Sequence, residues 1–189
     1  MPLPNCKDRL WPPEPGLTRR AIRVTLAADK GEERMDDLER LLAIESIELA
    51  KARYFYGLDH KDWDLWRREV WTADARLEVP EVGEVYEPLE RIIEAVDHDV
   101  GDQISVHHGH MPIIDFVSDD EANVLWAMED RLYRTPEKPL YDGSNYLHGF
   151  GHYHETYVRT DAGWRLRSTR LTRLRVEMSK ASRHMEEWP

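Results

Sequence analysis

Cysteine is nearly absent from this 189-residue chain: the single one, Cys6, can form neither an internal disulfide nor a thiolate metal cage. That usage points to a reducing, cytoplasmic setting. Long apolar runs are also missing. No stretch approaches the roughly 20 residues of a membrane helix, so no membrane partner is expected. Positive charge is scarce, with 26 Lys plus Arg against 37 Asp plus Glu and a formal net charge of −11. A globally acidic domain repels a phosphate backbone, which argues against nucleic-acid binding. The glycine-rich phosphate cradles, GxGxxG and the P-loop, do not occur, and no serine has a nucleophile-elbow context. The opening residues, MPLPNCKDRLWPPEPG, lack the apolar core of a secretory signal. What the chain does have is 41% hydrophobic residues, including 7 Trp and 8 Tyr. That excludes a disordered polymer, and the length predicts one domain with a sizeable core.

Residues 1–33 read as an N-terminal extension, because Pro2, Pro4, Pro12, Pro13 and Pro15 lack the N–H that helices and inner strands require. It is either a mobile tail or an arm that packs on a neighbouring subunit, the tail being the plainer reading. The domain is expected over 34–180, with a C-terminal tail over 181–189. Asp36 and Glu39 form a capping-box pattern that opens a helix, followed by a stripe of Leu38, Leu41, Leu42, Ile44, Ile47, Ala52 and Phe55. Gly57 is the expected stop near Tyr56. A second helix is predicted from Lys61 to about Val70 and a third from Glu87 to about Val96, with a strand at Ala75–Val79 between them. From Gly101 the texture changes to long strands: Ile104–Val117, Ala122–Tyr133, Tyr146–Arg159 and Trp164–Glu177, joined by turns and a loop over Thr135–Ser144. Helices followed by hairpin-linked strands imply an α+β fold with a curved antiparallel sheet. Three N-terminal helices closing such a sheet make a cone whose interior is a natural ligand pocket.

Three segments carry groups suited to chemistry. RYFYGLDHKDW places Tyr54 and Asp59 on either side of the expected helix stop; SVHHGHMP brings His107, His108 and His110 together; and WAMED puts Asp130 on the same strand face as Trp126 and Met128. A carboxylate on an apolar face needs a cationic partner, so Asp130 marks either a functional site or a structural ion pair. Asp59 is the natural N-cap of the second helix. Histidine titrates near neutral pH and suits acid–base work, and His148, His152 and His154 add to the density. Alternation lets His108 and His110 share a face while His107 points the other way. With Asp115, His152 and His154, the pair His108 and His110 could also supply a His–carboxylate metal site, but the three-helix beginning argues against a metal-binding cupin barrel. Neither metal nor cofactor is expected.

The segments ARYFYGLDHKDW, SVHHGHMPII, VLWAMEDRLY and GHYHETYVRTDAGWRLRSTRLTRLRV, spanning about Asp36 to Glu177, resemble the SnoaL-like group of the nuclear-transport-factor-2-like fold. Within it the similarity is to bile-acid 7α-dehydratases and, more distantly, to scytalone dehydratases. The resemblance implies a cone-shaped curved sheet and a catalytic set of Tyr54, Asp59, His107 and Asp130, and it lifts Asp59 from cap to site residue. It implies a site role for Arg173 as well, and Arg173, Trp126, Met128 and His110 are expected to contact the substrate. The second catalytic histidine of the scytalone enzymes has no clear match here.

Arg173 has opposite parity to Trp164 and Leu166, so only a β-bulge between Leu166 and Arg173 would turn it inward. The implied activity is a cofactor-independent dehydration of a hydroxylated, carbonyl-activated polycycle such as a steroid or polyketide. His107 would serve as base and then acid, Asp59 or Asp130 would orient it, Tyr54 would donate to the oxyanion, and Arg173 would hold a substrate carboxylate or oxygen. A ketosteroid-isomerase-like proton shuttle and a non-catalytic binding module are the alternatives. An open curved sheet exposes edges and a broad face, so a homodimer or homotrimer is expected.

Overall fold

Asp36 and Glu39 form the reciprocal cap that the sequence predicts, each side chain accepting from the other's backbone N–H at 2.8 and 3.0 Å, and helix α1 runs from Asp37 to His60. The computed structural model describes residues 35–135, 137–140 and 143–179. The expected extension 1–33 and tail 181–189 lie outside them, and the compact unit that begins at residue 34 is described by itself. After α1 come α2 (Trp63–Leu65), a π-helical turn (Trp66–Val70), β1 (Trp71–Val79), β2 (Glu84–Tyr86) and α3 (Leu89–Val100). Then follow β3 (Ile104–Phe116), β4 (Glu121–Tyr133), β5 (Tyr146–Thr160) and β6 (Gly163–Ser179).

Two features of α1 differ from the pattern read off its sequence. Its buried stripe is Ala43, Ile47, Ala50, Lys51, Tyr54, Gly57 and Leu58, whereas Leu38 and Leu41 are 64% exposed. Gly57 does not end the helix either. A Cβ there would sit 2.6 Å from Trp66 Cδ1, so glycine lets the Trp66 indole lie against the helix and donate to Tyr54 O at 2.9 Å. The helix stops one turn later at Lys61, which takes the left-handed conformation at φ 59°.

The six strands form one curved, unclosed sheet in the order β2-β1-β6-β5-β4-β3. Four of its five pairings are antiparallel, and β1 with β6 is parallel. The long strands β3 to β6 match the expected hairpin series. Helix α1 packs against β3 and β6, and α3 against β1. Fully buried Ile47, Trp66, Val70, Ile92, Tyr157 and Leu166 fill the space between helices and sheet. Edge strand β3 shifts register between His110 and Ile113, around Pro112, which blunts its capacity to pair further. No helix among the described residues is long and apolar enough to cross a membrane.

Strand β6 carries the irregularity that decides which residues face inward. Thr156 pairs with Ser168 but Tyr157 with Leu166, so Arg167 is an extra residue bulged out of register. Before it Trp164 and Leu166 are buried; after it the inner row continues with Thr169, Leu171 and Arg173. The bulge reverses the parity, and Arg173 turns to the concave face.

A buried ion pair joins α1 to the sheet. Lys51 Nζ lies 2.6 Å from Glu155 Oε1, and both side chains are essentially inaccessible. Glu155 also accepts from Tyr157 Oη at 2.8 Å and Thr169 Oγ1 at 3.1 Å. The ammonium sits over the rings of Tyr153, Tyr54 and Phe55 at 3.7, 4.1 and 4.7 Å. Burial pulls the Lys51 pKa down to about 8 against the opposing pull of Glu155. Removing one member strands a charge in the interior. Lys51→Met is therefore expected to destabilise the protein by about 3–5 kcal/mol in urea unfolding, and adding Glu155→Leu in the same chain is expected to recover part of that loss.

Candidate active site

The extra turn of α1 carries Asp59 up to β3. Its Oδ1 accepts from His107 Nδ1 at 2.6 Å and from Ser105 Oγ at 2.9 Å, and its Oδ2 accepts from the His107 backbone N–H at 2.9 Å. Asp59 is not the N-cap of α2. Asp62 fills that position, accepting from Leu65 N–H at 2.9 Å. Lys61 buttresses the arrangement, its Nζ donating to Ser105 Oγ at 2.7 Å and to Leu58 O at 3.1 Å. Burial pushes the Asp59 carboxyl up, but hydrogen bonds and charge from His107, with Ser105, more than offset this and hold it below its ordinary value. An ionised carboxylate only accepts, so the bond fixes the His107 proton on Nδ1 and leaves Nε2 as the basic nitrogen. No described residue hydrogen-bonds Nε2, and His107 lines the central cavity.

That cavity, about 330 Å³, is walled by apolar side chains from β1, β4, β5 and β6, among them Leu77, Val79, Leu132, Leu147 and Leu171. Tyr54 and Tyr153 reach it from α1 and β5. Burial raises the pKa of both phenols, and the neighbouring Glu155 and Asp130 carboxylates add to the shift, so each keeps its proton. The Tyr54 ring is held by stacking on Trp66, with centroids 5.0 Å apart.

Asp130 stands directly across the β3–β4 ladder from His107. Its carboxylate takes a two-pronged grip from Arg173, Nη1 to Oδ1 at 2.8 Å and Nη2 to Oδ2 at 2.5 Å. The third edge of the guanidinium, Nε, meets Glu81 Oε2 at 3.3 Å. Gly149 leaves room for this pair, since a Cβ there would overlap Arg173 Nη1 and Asp130 Oδ1. Arg173 is thus committed to two carboxylates and is not free to hold a substrate carboxylate, as the residue type alone suggested.

The structure brings Tyr54, His107, Asp130 and Arg173 to one cavity, with Asp59 directly behind His107. It does not bring Trp126, Met128 or His110 there. His110 has opposite parity to His107 and lies exposed on the outer face, 3.9 Å from Glu129. Trp126 and Met128 are buried farther along β4. Phe55 lies over Gly109, the partner of Met128, and plugs that end of the sheet. The outer-face histidines do not converge: among the described residues no three His, Cys, Asp or Glu side chains are arranged to hold a metal ion. Sequence reasoning missed Glu81, Ser105, Lys61 and Tyr153. Alternation through Gly149, Gly151, Tyr153 and Glu155 would have found Tyr153; Glu81 leaves no such signal.

Residues 39–170 match the SnoaL-like domain, well over half of the chain. The chain belongs to the SnoaL-like family. Solved structures share the fold of this SnoaL-like domain. The hexachlorocyclohexane dehydrochlorinase LinA-type3 from Novosphingobium barchaimii LL02 superposes with a TM-score of 0.66 at 21% identity, covering 80% of this chain and 99% of that one. The Kfla4162 protein from Kribbella flavida matches at 0.66 and 24% identity over 73% and 95% of the two chains. A scytalone-dehydratase-like protein from Novosphingobium aromaticivorans DSM 12444 matches at 0.63 and 21% over 77% and 97%. At such identities the likeness establishes the fold, and the chemistry must be argued from the side chains.

Because the folded Asp59 pKa lies below its ordinary 3.8, its interactions stabilise the native state above that value and are lost as pH falls below it. Asp59→Asn removes this dependence. Thermal unfolding followed from pH 6 to 3 should show a steeper acid-side loss in the unaltered protein than in the variant.

Proposed function

We propose that this SnoaL-like protein is a cofactor-independent dehydratase acting on a hydroxylated, carbonyl-activated polycycle of steroid or polyketide type. The observation that carries the reading is the Asp59–His107 bond of 2.6 Å, which leaves an imidazole nitrogen with no hydrogen-bond partner among the described residues in an apolar cavity shared with Tyr54. An elimination needs a base for a weakly acidic C–H, a donor for the enolate oxygen and an acid for the departing hydroxyl. His107 Nε2 takes the proton from the carbon next to the carbonyl or its vinylogue, and Asp59 stabilises the resulting imidazolium without taking its proton. Tyr54, kept protonated by burial, donates its O–H to the developing oxyanion. The imidazolium then returns the proton to the leaving oxygen as the C–O bond breaks and the carbon–carbon double bond forms. The Asp130–Arg173 pair fixes a polar patch among apolar leucines, which suits a largely apolar body with a few oxygens. LinA and the scytalone-dehydratase-like protein, whose names denote eliminations, support this class of chemistry on the same fold.

The test is turnover of a hydroxy-keto steroid followed by mass spectrometry. The expected product is about 18 Da lighter, the water that general acid catalysis releases. His107→Ala should lower kcat by about 10²- to 10⁴-fold. Tyr54→Phe should lower it by about 10²-fold, with little change in the thermal unfolding midpoint. A product of unchanged mass with a moved double bond would instead establish an isomerase. Binding without turnover, unaffected by His107→Ala, would establish a non-catalytic module.

A further inference from the structure

The carboxylate behind His107 stands at an unfavourable place for an anion. Asp59 lies in the last turn of α1, where the free carbonyls give a helix its negative end. His107 brings no compensating charge while its imidazole is neutral, the form that a base requires. Lys61 brings one. It is the C-cap of α1, and its φ of 59° is the left-handed conformation that favours glycine or asparagine. The backbone at this position gives no reason for a lysine, but the side chain does. It folds back over the helix end, Nζ donating to Leu58 O at 3.1 Å and reaching Asp59 O at 3.5 Å. Nζ also donates to Ser105 Oγ at 2.7 Å. An ammonium can only donate, so the serine oxygen accepts from Lys61 and its one proton is given to Asp59 Oδ1 at 2.9 Å. These two bonds share a single hydroxyl. They hold the ammonium within the roughly 6 Å over which an opposite charge favours a carboxylate.

We propose that Lys61 is a positioning residue whose ammonium, acting through Ser105, balances the charge of Asp59. The Asp59–His107 pair then stands without an added proton at neutral pH, and Nε2 is bare for use as a base. The other charged and titratable groups around the pair do not supply this balance. Tyr54 of α1 and Tyr153 of β5 keep their protons through burial. Arg173 of β6 is taken up by Asp130 of β4, which stands across from His107, and by Glu81. Asp97 and Asp99 of α3, the first acting on Lys61 and the second lining the cavity, add negative charge. Without the ammonium, an uncompensated carboxylate at the helix end draws a proton onto the pair at higher pH. Two groups this close titrate as a unit, and the proton lands on Nε2, the atom that has to be free. The assignment rests on the proposed function for the use of Nε2 as a base, whereas the charge balance is a property of the resting protein.

The experiment follows the His107 ring resonances by NMR against pH in the full chain without ligand, assigned by their loss in His107→Gln. Lys61→Gly removes the ammonium and suits the left-handed backbone. It is expected to raise the pH midpoint at which the pair takes up its proton by about one pH unit. Ser105→Ala, which breaks the link and leaves the ammonium on the helix end, should move the midpoint the same way by less. Lys61→Arg, which keeps the charge, should stay near the unaltered protein. Circular dichroism of each variant controls for folding. A midpoint unmoved in Lys61→Gly or in Ser105→Ala, or moved as far by Lys61→Arg as by Lys61→Gly, overturns the assignment. Turnover of the hydroxy-keto steroid is read separately, and in Lys61→Gly the acid-side limb of its pH profile should rise with the midpoint. A steroid left unchanged by the unaltered protein at every pH counts against the dehydratase reading, while the ring titration still decides the role of Lys61.

Discussion

The clasp between the last turn of α1 and strand β3 is the constraint from which the rest of the site follows. Asp59 accepts from Ser105, from the His107 ring and from the His107 backbone, so one carboxylate ties helix to sheet and orients the imidazole. It can do so because α1 continues past Gly57 to a left-handed Lys61, whose ammonium fastens the same serine. The hydrogen bond that docks the helix also selects the imidazole tautomer, so packing and chemistry are one interaction here.

Charge inside the cone is managed by pairing rather than by exclusion. Lys51 and Glu155 lie beneath the aromatic cluster of Tyr54, Phe55 and Tyr153, while Asp130 and Arg173 lie beside His107. A buried ion costs several kcal/mol unless matched, and both pairs are matched with further hydrogen bonds or charges to spare. The result is an inner sheet face that holds polar groups in fixed positions between leucines. A pocket of this kind discriminates by where its few polar atoms stand.

The fold is shared with proteins named for different eliminations, and it hosts other functions as well. This chain combines an oriented imidazole, a phenol held protonated and a doubly satisfied Arg173. Each depends on a particular feature of the fold: the helix extension, the burial of Tyr54 and the space left by the glycine at 149.

Much of the architecture was legible in residue order. The Asp36–Glu39 cap, the long strands after Gly101 and the inward parity of Asp130 are local patterns with periods of 3.6 and 2, and the folded chain keeps them. The resemblance to SnoaL-like proteins located Tyr54, Asp59 and His107 together. Parity warned that Arg173 needed a bulge, but its place at Arg167 emerges only when β6 pairs with β5. That Lys51 is buried depends on Glu155, about a hundred residues away, while Leu38 and Leu41 of the same helix stay exposed. The engagement of Glu81 with Arg173 arises the same way, whereas the outward turn of His110 follows from its parity with His108. Sequence periodicity determines which side chains can share a face; only the meeting of distant strands and helices decides which charges find partners, because electrostatic pairing depends on separation in space and not along the chain.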